Sequence, residues 1–286
     1  MRQAKILAGD EFGVPDDFPS NRLDPDGGDS VFNAVGGLEI ISGNASFVGS
    51  GVALSPNWVL TAGHNVDIDS DGAADAGLSF TYHLTGLGAY TVDEVHVAGS
   101  FSGFGNPVVN DDLALLYVAG GLPTGLNFPT SILGGDVGLE ITLVGFGRSG
   151  FGSFGYTSSA GFTDRRVGWN VIDDLEVDDD GGVLNEVFLY DFDSPGAGSL
   201  GNDRETIIGP GDSGGPALIL DGEGLALVGI NTFTEGVGGQ FGDIGGGILV
   251  EPYLPWIQET TGLYQVPEPS GVMMVVVAVT LWIVRR

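Results

Sequence analysis

Glycine recurs too densely along this chain for helices to dominate it. Of 286 residues, 51 are glycine, and a glycine inside a helix costs about 1 kcal/mol relative to alanine. Between the glycines, short runs of Val, Ile, Leu and Phe alternate with clusters of Gly, Asn, Asp and Ser. Such runs, bounded by turn formers, read as β-strands, and the chain is expected to be all-β. At this length it can bury a substantial core in one or two domains. There is no cysteine, so no disulfide ties its parts together. Nine basic residues stand against 38 acidic ones, a formal net charge of -29. A chain this acidic is repelled by nucleic acid and by anionic membrane surfaces, and neither is expected as a ligand.

The most informative glycine cluster is Gly209-Pro-Gly-Asp-Ser-Gly-Gly-Pro216. Residues without a Cβ adopt backbone angles closed to others, so successive N–H groups can converge on one point beside the Ser213 hydroxyl. A hydroxyl next to such a point is arranged for nucleophilic chemistry, with the converging amides as an oxyanion hole. The run closely resembles the nucleophile loop of trypsin-like (chymotrypsin-fold) serine proteases. That resemblance requires a histidine and an aspartate upstream, in the order His, Asp, Ser. Trp58-Val-Leu-Thr-Ala-Gly-His64 is similar to the family's histidine segment. Asp111-Asp-Leu-Ala-Leu-Leu-Tyr-Val118 is similar to its aspartate strand, with Asp112 in better register than Asp111. The three sites are separated by 47 and 100 residues.

The resemblance implies a role for each residue. His64 takes the Ser213 proton and returns it to the leaving amine, while Asp112 orients the imidazole and stabilises the imidazolium. The N–H groups of Gly211 and Ser213 receive the oxyanion, each worth about 3 kcal/mol of barrier lowering. Asp212 is not catalytic. In the family the equivalent aspartate pairs with a freshly cut N-terminal amine, and that ion pair orders the loop. Lys5-Ile-Leu-Ala-Gly9 faintly resembles the activation junction that supplies such an amine, which makes Ile6 its candidate.

The implied architecture is two six-stranded antiparallel β-barrels, at about 31–125 and 136–262, followed by a short C-terminal helix. Residues 1–30 read as a linker or propeptide remnant, with an extended Pro/Asp/Asn-rich stretch at 14–29. The absence of cysteine departs from the animal branch of the family, in which a half-cystine stands where this chain has Asn65. A native disulfide contributes about 2–5 kcal/mol, so other terms must stabilise this fold.

Specificity is legible through the same alignment. Ile207, at the base of the implied primary pocket, offers no carboxylate for Lys or Arg. Thr232 and Phe233 are expected to bind substrate backbone, and Thr234 to narrow the entrance. Small or medium apolar side chains are then preferred. His83 and His96 lack metal-ligand spacing and are read as structural or exposed.

No cofactor is expected for catalysis, but an acidic segment follows the histidine. Asp67, Asp69, Asp71 and Asp75 bracket Gly72, like the opening of an EF-hand calcium loop, while Leu78 occupies the twelfth position where that motif needs glutamate. A partial structural calcium site and an acidic solvated loop are both consistent with this.

Residues 263–286 carry a separate message. Val266-Pro-Glu-Pro-Ser270 precedes 14 uncharged residues and Arg285-Arg286. As a helix these 14 span about 21 Å, short of a hydrocarbon core of about 30 Å. The arrangement resembles the PEP-CTERM sorting signal of Gram-negative bacteria, an apolar tail helix that inserts transiently in the membrane and is processed by an exosortase-type enzyme. It implies export to the cell envelope or beyond, although residues 1–10 lack the apolar core of a signal peptide. Two functions are compatible with the whole: an exported serine endopeptidase acting on proteins or peptides, and a catalytically silent binding or matrix protein on a protease scaffold.

Overall fold

The computed structural model describes residues 6–10, 18–105, 109–177, 179, 182, 184–196, 198–201, 203–221 and 224–264. The Pro-Glu-Pro motif, the apolar tail helix and Lys5 lie outside the described residues. Among those described, no helix is long and apolar enough to cross a membrane.

Seven strands form the first sheet: β1 (Val35–Ser42), β2 (Ala45–Ala53), β3 (Trp58–Thr61), β4 (Leu78–Leu84), β5 (Gly88–Thr91), β6 (Glu94–Val97) and β7 (Ala114–Tyr117). Their order is β5-β4-β1-β2-β3-β7-β6, with every pair antiparallel. Alternation along the strands explains the core. On β4 every second side chain, Phe80, Tyr82 and Leu84, is buried, as the two-residue period of a one-sided strand requires. These pack with Leu38, Ile40, Val59 and Leu116. Tyr82 is accommodated because its hydroxyl donates to the Ala34 and Gly51 carbonyls at 2.7 and 3.0 Å. A Cβ at Gly36 would lie 2.6 Å from its ring.

The second sheet contains β8 (Ser131–Ile132), β9 (Glu140–Gly145), β12 (Arg166–Val171), β13 (Asp174–Val177), β14 (Asn185–Asp191), β15 (Pro216–Asp221), β16 (Gly224–Glu235) and β17 (Ile244–Leu249). Its order is β12-β9-β15-β16-β17-β14-β13, and β8 pairs with β16 in parallel. A small hairpin, β10 (Gly150–Phe151) with β11 (Gly155–Tyr156), stands apart. The expected six strands per barrel are thus exceeded. The turn at 85–87 folds β5 back as an extra edge in the first sheet, and β8 adds a strand beside β16 in the second. Among the described residues a single α-helix, α1 (Leu254–Thr261), belongs to a second compact unit that begins at Leu254.

Residues 18–30 do not form the expected extended linker. They make two 3-10 turns, Pro19–Arg22 and Gly27–Asp29, because three arginines capture the segment. Arg165 Nε donates to Asp24 Oδ2 at 2.8 Å, with the two side chains 1% and 5% exposed. Its Nη2 reaches the Gly27 carbonyl and its Nη1 the Val35 carbonyl on β1. Arg22 Nη2 donates to the Glu205 carbonyl at 2.9 Å, and Leu23 bridges Arg166. Residues 6–8 are likewise folded in: Ile6 and Leu7 are fully buried among Ile141, Ile207, Ile208 and Phe188.

Removing one partner of a buried ion pair strands the other charge, which costs about 3–5 kcal/mol. Asp24→Ala is expected to lower the unfolding free energy by about that amount in urea titration, and Asp24→Asn by less.

Candidate active site

The site lies where the ends of both sheets meet, and each candidate reaches it by a different local device. His64 follows β3 on a one-turn 3-10 segment, Gly63–Asn65. Asp112 precedes β7 and is fully buried. Its Oδ1 accepts the His64 backbone N–H at 2.7 Å, and its Oδ2 accepts from His64 Nδ1 at 2.6 Å. Because a carboxylate only accepts, Nδ1 carries the proton and Nε2 is left as an acceptor. Ser213 precedes β15. His64 and Ser213 together line a cavity of 250 Å³.

The loop 209–215 is held by both barrels. Ser50, fully buried on β2, donates its amide to the Ser213 carbonyl at 2.7 Å and its hydroxyl to the Gly211 carbonyl at 2.9 Å. Asn65 Nδ2 donates to the same Ser213 carbonyl at 2.9 Å and to Thr61 Oγ1 at 2.9 Å. These contacts fix the 211–212 and 213–214 peptides, while the Pro210 and Asp212 carbonyls, which share peptides with the Gly211 and Ser213 amides, accept from Arg148 N at 2.9 Å and Gly215 N at 2.8 Å. Among the described residues, the amides of Gly211 and Ser213 donate to no acceptor of the protein. Gly211 at φ +100° and Gly214 at φ +87° supply the backbone angles this needs. A Cβ at Gly214 would also lie 2.1 Å from the Ser50 carbonyl.

Asp212 is fully buried. Its Oδ1 accepts from Gly147 N at 2.5 Å and its Oδ2 from Gly209 N at 2.8 Å. Gly145 and Gly147 make room for it, since a Cβ at either would fall 2.2 or 2.5 Å from its carboxylate atoms. Arg166 is also buried, and desolvation pushes its guanidinium down to about 10 against the opposing pull of Asp164 and Asp212. Ile6 to Ala8 run beside the same segment. Leu7 N donates to the Ile207 carbonyl at 3.2 Å and Ala8 N to the Gly150 carbonyl at 3.0 Å, while Ser149 Oγ donates to the Ile6 carbonyl and Thr206 Oγ1 to that of Leu7.

Thr232, Phe233 and Thr234 line the 250 Å³ cavity with Gly209 and Pro210. Ile207 does not occupy its base. It is fully buried in the barrel core, tied to Leu7, and Ile208 lines the cavity in its stead. Sequence reasoning also missed Phe104, whose ring lies 4.5 Å from that of His64. Phe104 also lines two further cavities of mixed character, about 370 and 350 Å³, one with Glu176, Leu189, Phe233 and Glu235, the other with Ile40, Phe47, Asp67 and Ser213. Ser50 carried no sequence signal at all. His83 and His96 lie elsewhere, against Glu39 at 3.1 Å and Glu94 at 3.5 Å.

Of the four acidic candidates, Asp67, Asp69 and Asp71 offer oxygens within 4.8 Å of one another. Asp75 turns away and accepts from Ile68 N at 2.7 Å. Asp67 is buried and accepts the amides of Asp71 and Gly72 at 3.1 and 2.9 Å. Partial desolvation and the neighbouring Asp71, Asp75 and Asp67 charges raise the Asp69 carboxyl.

No family model matches the chain, and no curated protein matches it. Solved structures do. One, HL collagenase, matches with a TM-score of 0.57 over 82% of this chain and 95% of its own, at 21% identity. The chain has that collagenase's fold. At such identity the likeness carries architecture, mostly antiparallel β with one short helix, and the chemistry must be read from the residues.

Proposed function

We propose that this protein is a serine-type endopeptidase that hydrolyses peptide bonds through an acyl-enzyme, with Ser213, His64 and Asp112 as its triad. The observation that carries this is the 2.6 Å contact of His64 Nδ1 with a fully buried carboxylate, facing a serine in a shared cavity. His64 Nε2 takes the Oγ proton as Oγ bonds to the substrate carbonyl carbon. The oxyanion is received by the Gly211 and Ser213 amides, and collapse expels the amine, protonated by Nε2–H. Water then repeats the sequence on the acyl-enzyme. A binding module has no need of these elements together.

The 250 Å³ cavity beside Ser213 presents Ile208, Pro210, Thr232, Phe233 and Thr234. No carboxylate of the described residues lines it, so Lys or Arg would enter without a counter-charge. This supports cleavage after small or medium apolar residues.

Activation follows from Ile6, a β-branched residue at φ +49°, where L side chains are strained. Scission of the bond between Lys5 and Ile6 removes the carbonyl that defines this φ, and with it the strain. The new amine arises next to the segment around Gly147 that binds Asp212, which supports Asp212 as its partner. The convergence of Asp67, Asp69 and Asp71 fits an oxygen-seeking cation such as calcium, which would brace the loop after His64. The Pro-Glu-Pro segment and its apolar run support export to the cell envelope of a Gram-negative bacterium, with tail processing by an exosortase-type enzyme.

A fluorophosphonate probe is expected to label the wild type and to lose all labelling in Ser213→Ala, while Asp112→Asn lowers kcat by about 10⁴-fold. Failure of correctly processed protein to label favours the silent binding or matrix scaffold, and a peptide-library profile dominated by Arg or Lys refutes the apolar preference. N-terminal sequencing of active enzyme is expected to begin at Ile6; an active form retaining Lys5 overturns the activation step. Calcium is expected to raise the thermal unfolding midpoint and a chelator to lower it. Identical midpoints would mean that the acidic loop is merely solvated.

A further inference from the structure

The residue before the triad aspartate, Asp111, lies in the left-handed region at φ +59°. Aspartate visits this region more readily than most residues, but still at a cost of about 1 kcal/mol. The conformation has a purpose in the chain path. Leu113 N donates to the Asp111 carbonyl at 2.6 Å, and this tight turn sets the direction in which the Asp112 side chain leaves the backbone. Both Asp112 oxygens are then used by His64, so a rotation of the turn disrupts both contacts together.

What grips the turn comes from the other barrel. Tyr253, in the 3-10 turn Glu251–Tyr253 that follows β17, is 7% exposed and donates its hydroxyl to Asp111 Oδ1 at 2.9 Å. Asn110 Nδ2 donates to Oε2 of Glu186 at 3.1 Å, and Glu186, on β14, is 6% exposed. Oxygens of Asp111 and Glu186 lie within 4.8 Å of each other. Burial, with these two carboxylates adding to it, drives the Tyr253 hydroxyl far above its ordinary range. It therefore remains a protonated donor wherever the enzyme works.

We propose that Tyr253 and Glu186 are positioning residues for the triad: they lock the Asn110–Asp111 turn and thereby aim Asp112 at His64. The inference rests on the reading of His64, Asp112 and Ser213 as a triad. Its physical content is a registration device. Asp112 and His64 belong to the first barrel and Ser213 to the second, so a grip on residues 110 and 111 from β14 and the chain after β17 ties the orientation of the base to the barrel that holds the nucleophile. Neither Tyr253 nor Glu186 lines the cavity beside Ser213, so their loss acts on kcat and leaves KM nearly unchanged.

The experiment uses the full chain with Tyr253→Phe, Glu186→Gln, Asp111→Gly and Asp111→Asn. Four quantities are measured: kcat and KM on a peptide, the fluorophosphonate labelling rate, and the low-field proton NMR resonance of His64 Nδ1–H. Tyr253→Phe and Asp111→Gly are expected to lower kcat and labelling at least about tenfold, within the ~10²-fold that an ångström of misplacement can cost, and to broaden or shift the low-field resonance. Asp111→Asn, which tolerates the same backbone angles and still accepts the tyrosine hydroxyl, is expected to retain most of the rate. Asp111→Gly permits the turn's conformation without the tyrosine contact, and so decides the matter where Tyr253→Phe does not fold. Unchanged kcat and an unchanged resonance in Tyr253→Phe and Asp111→Gly overturn the proposal, leaving a tie between barrels and nothing more. A wild type that neither labels nor cleaves removes the peptidase reading instead. The resonance needs no substrate and still decides the grip.

Discussion

The carbonyl of Ser213 is held by two donors from the opposite barrel, the Ser50 amide and Asn65 Nδ2, and the placement of the 209–215 loop depends on that clamp. A loop so rich in glycine has little conformational preference of its own. It would sample many states if its peptide planes were not fixed from outside. The carbonyls that share a peptide with the Gly211 and Ser213 amides are those of Pro210 and Asp212, and they are held by the Arg148 and Gly215 amides at 2.9 and 2.8 Å, so those two N–H groups are left for a ligand, which is preorganisation in a concrete sense. Gly214 permits the approach, because any Cβ there collides with Ser50 and Thr61. Asp212 does the complementary work on the far side, fixing the Gly147 and Gly209 amides inside the second barrel.

How much of this the sequence disclosed depended on the range of the interactions. His64, Asp112 and Ser213 were legible as candidates because each sits in a short string whose local chemistry is distinctive, and the strand pattern around Phe80, Tyr82 and Leu84 follows from a two-residue period. Ser50 was not legible, since a serine inside a glycine-containing strand looks the same whether it meets solvent or another barrel. Asn65 was noticed only as a position without cysteine, while its amide supports the nucleophile. The segment from Pro19 to Asp29 has a linker's composition, and nothing local reveals that Asp24 meets Arg165, 141 residues away. Ile207 and Ile208 are adjacent and chemically alike; the burial of the first and exposure of the second to the cavity were decided by Leu7 hydrogen-bonding to the Ile207 carbonyl.

Charge placement follows a related economy of position. In a chain with nine basic residues against 38 acidic ones, arginine is scarce, yet Arg22, Arg165 and Arg166 are each no more than 2% exposed. On the surface they would relieve repulsion only weakly, because exposed pairs are screened by water and salt. Buried, Arg22 and Arg165 meet carbonyls and a carboxylate at the seam between N-terminal segment and barrels, where a single unmatched charge is costly. Buried carboxylates are matched differently: Asp212 takes the Gly147 and Gly209 amides, Asp112 the His64 amide and ring, and Glu186 the Asn110 amide group.

Without cysteine, the two barrels have no covalent tie, and their register is carried by directional polar contacts: Ser50 and Asn65 to the nucleophile loop, Arg165 to Asp24 and to the Val35 carbonyl, Asn110 to Glu186 and Tyr253 to Asp111. Apolar packing within each barrel stabilises the sheets but says little about their mutual register, since dispersion contacts are non-directional. A hydrogen bond loses most of its strength within a few tenths of an ångström and a few tens of degrees. Cross-barrel polar contacts therefore select one relative placement from the many that packing alone would tolerate. That is the placement in which His64 of one barrel and Ser213 of the other line a single cavity, so the polar seam links the fold to the candidate site.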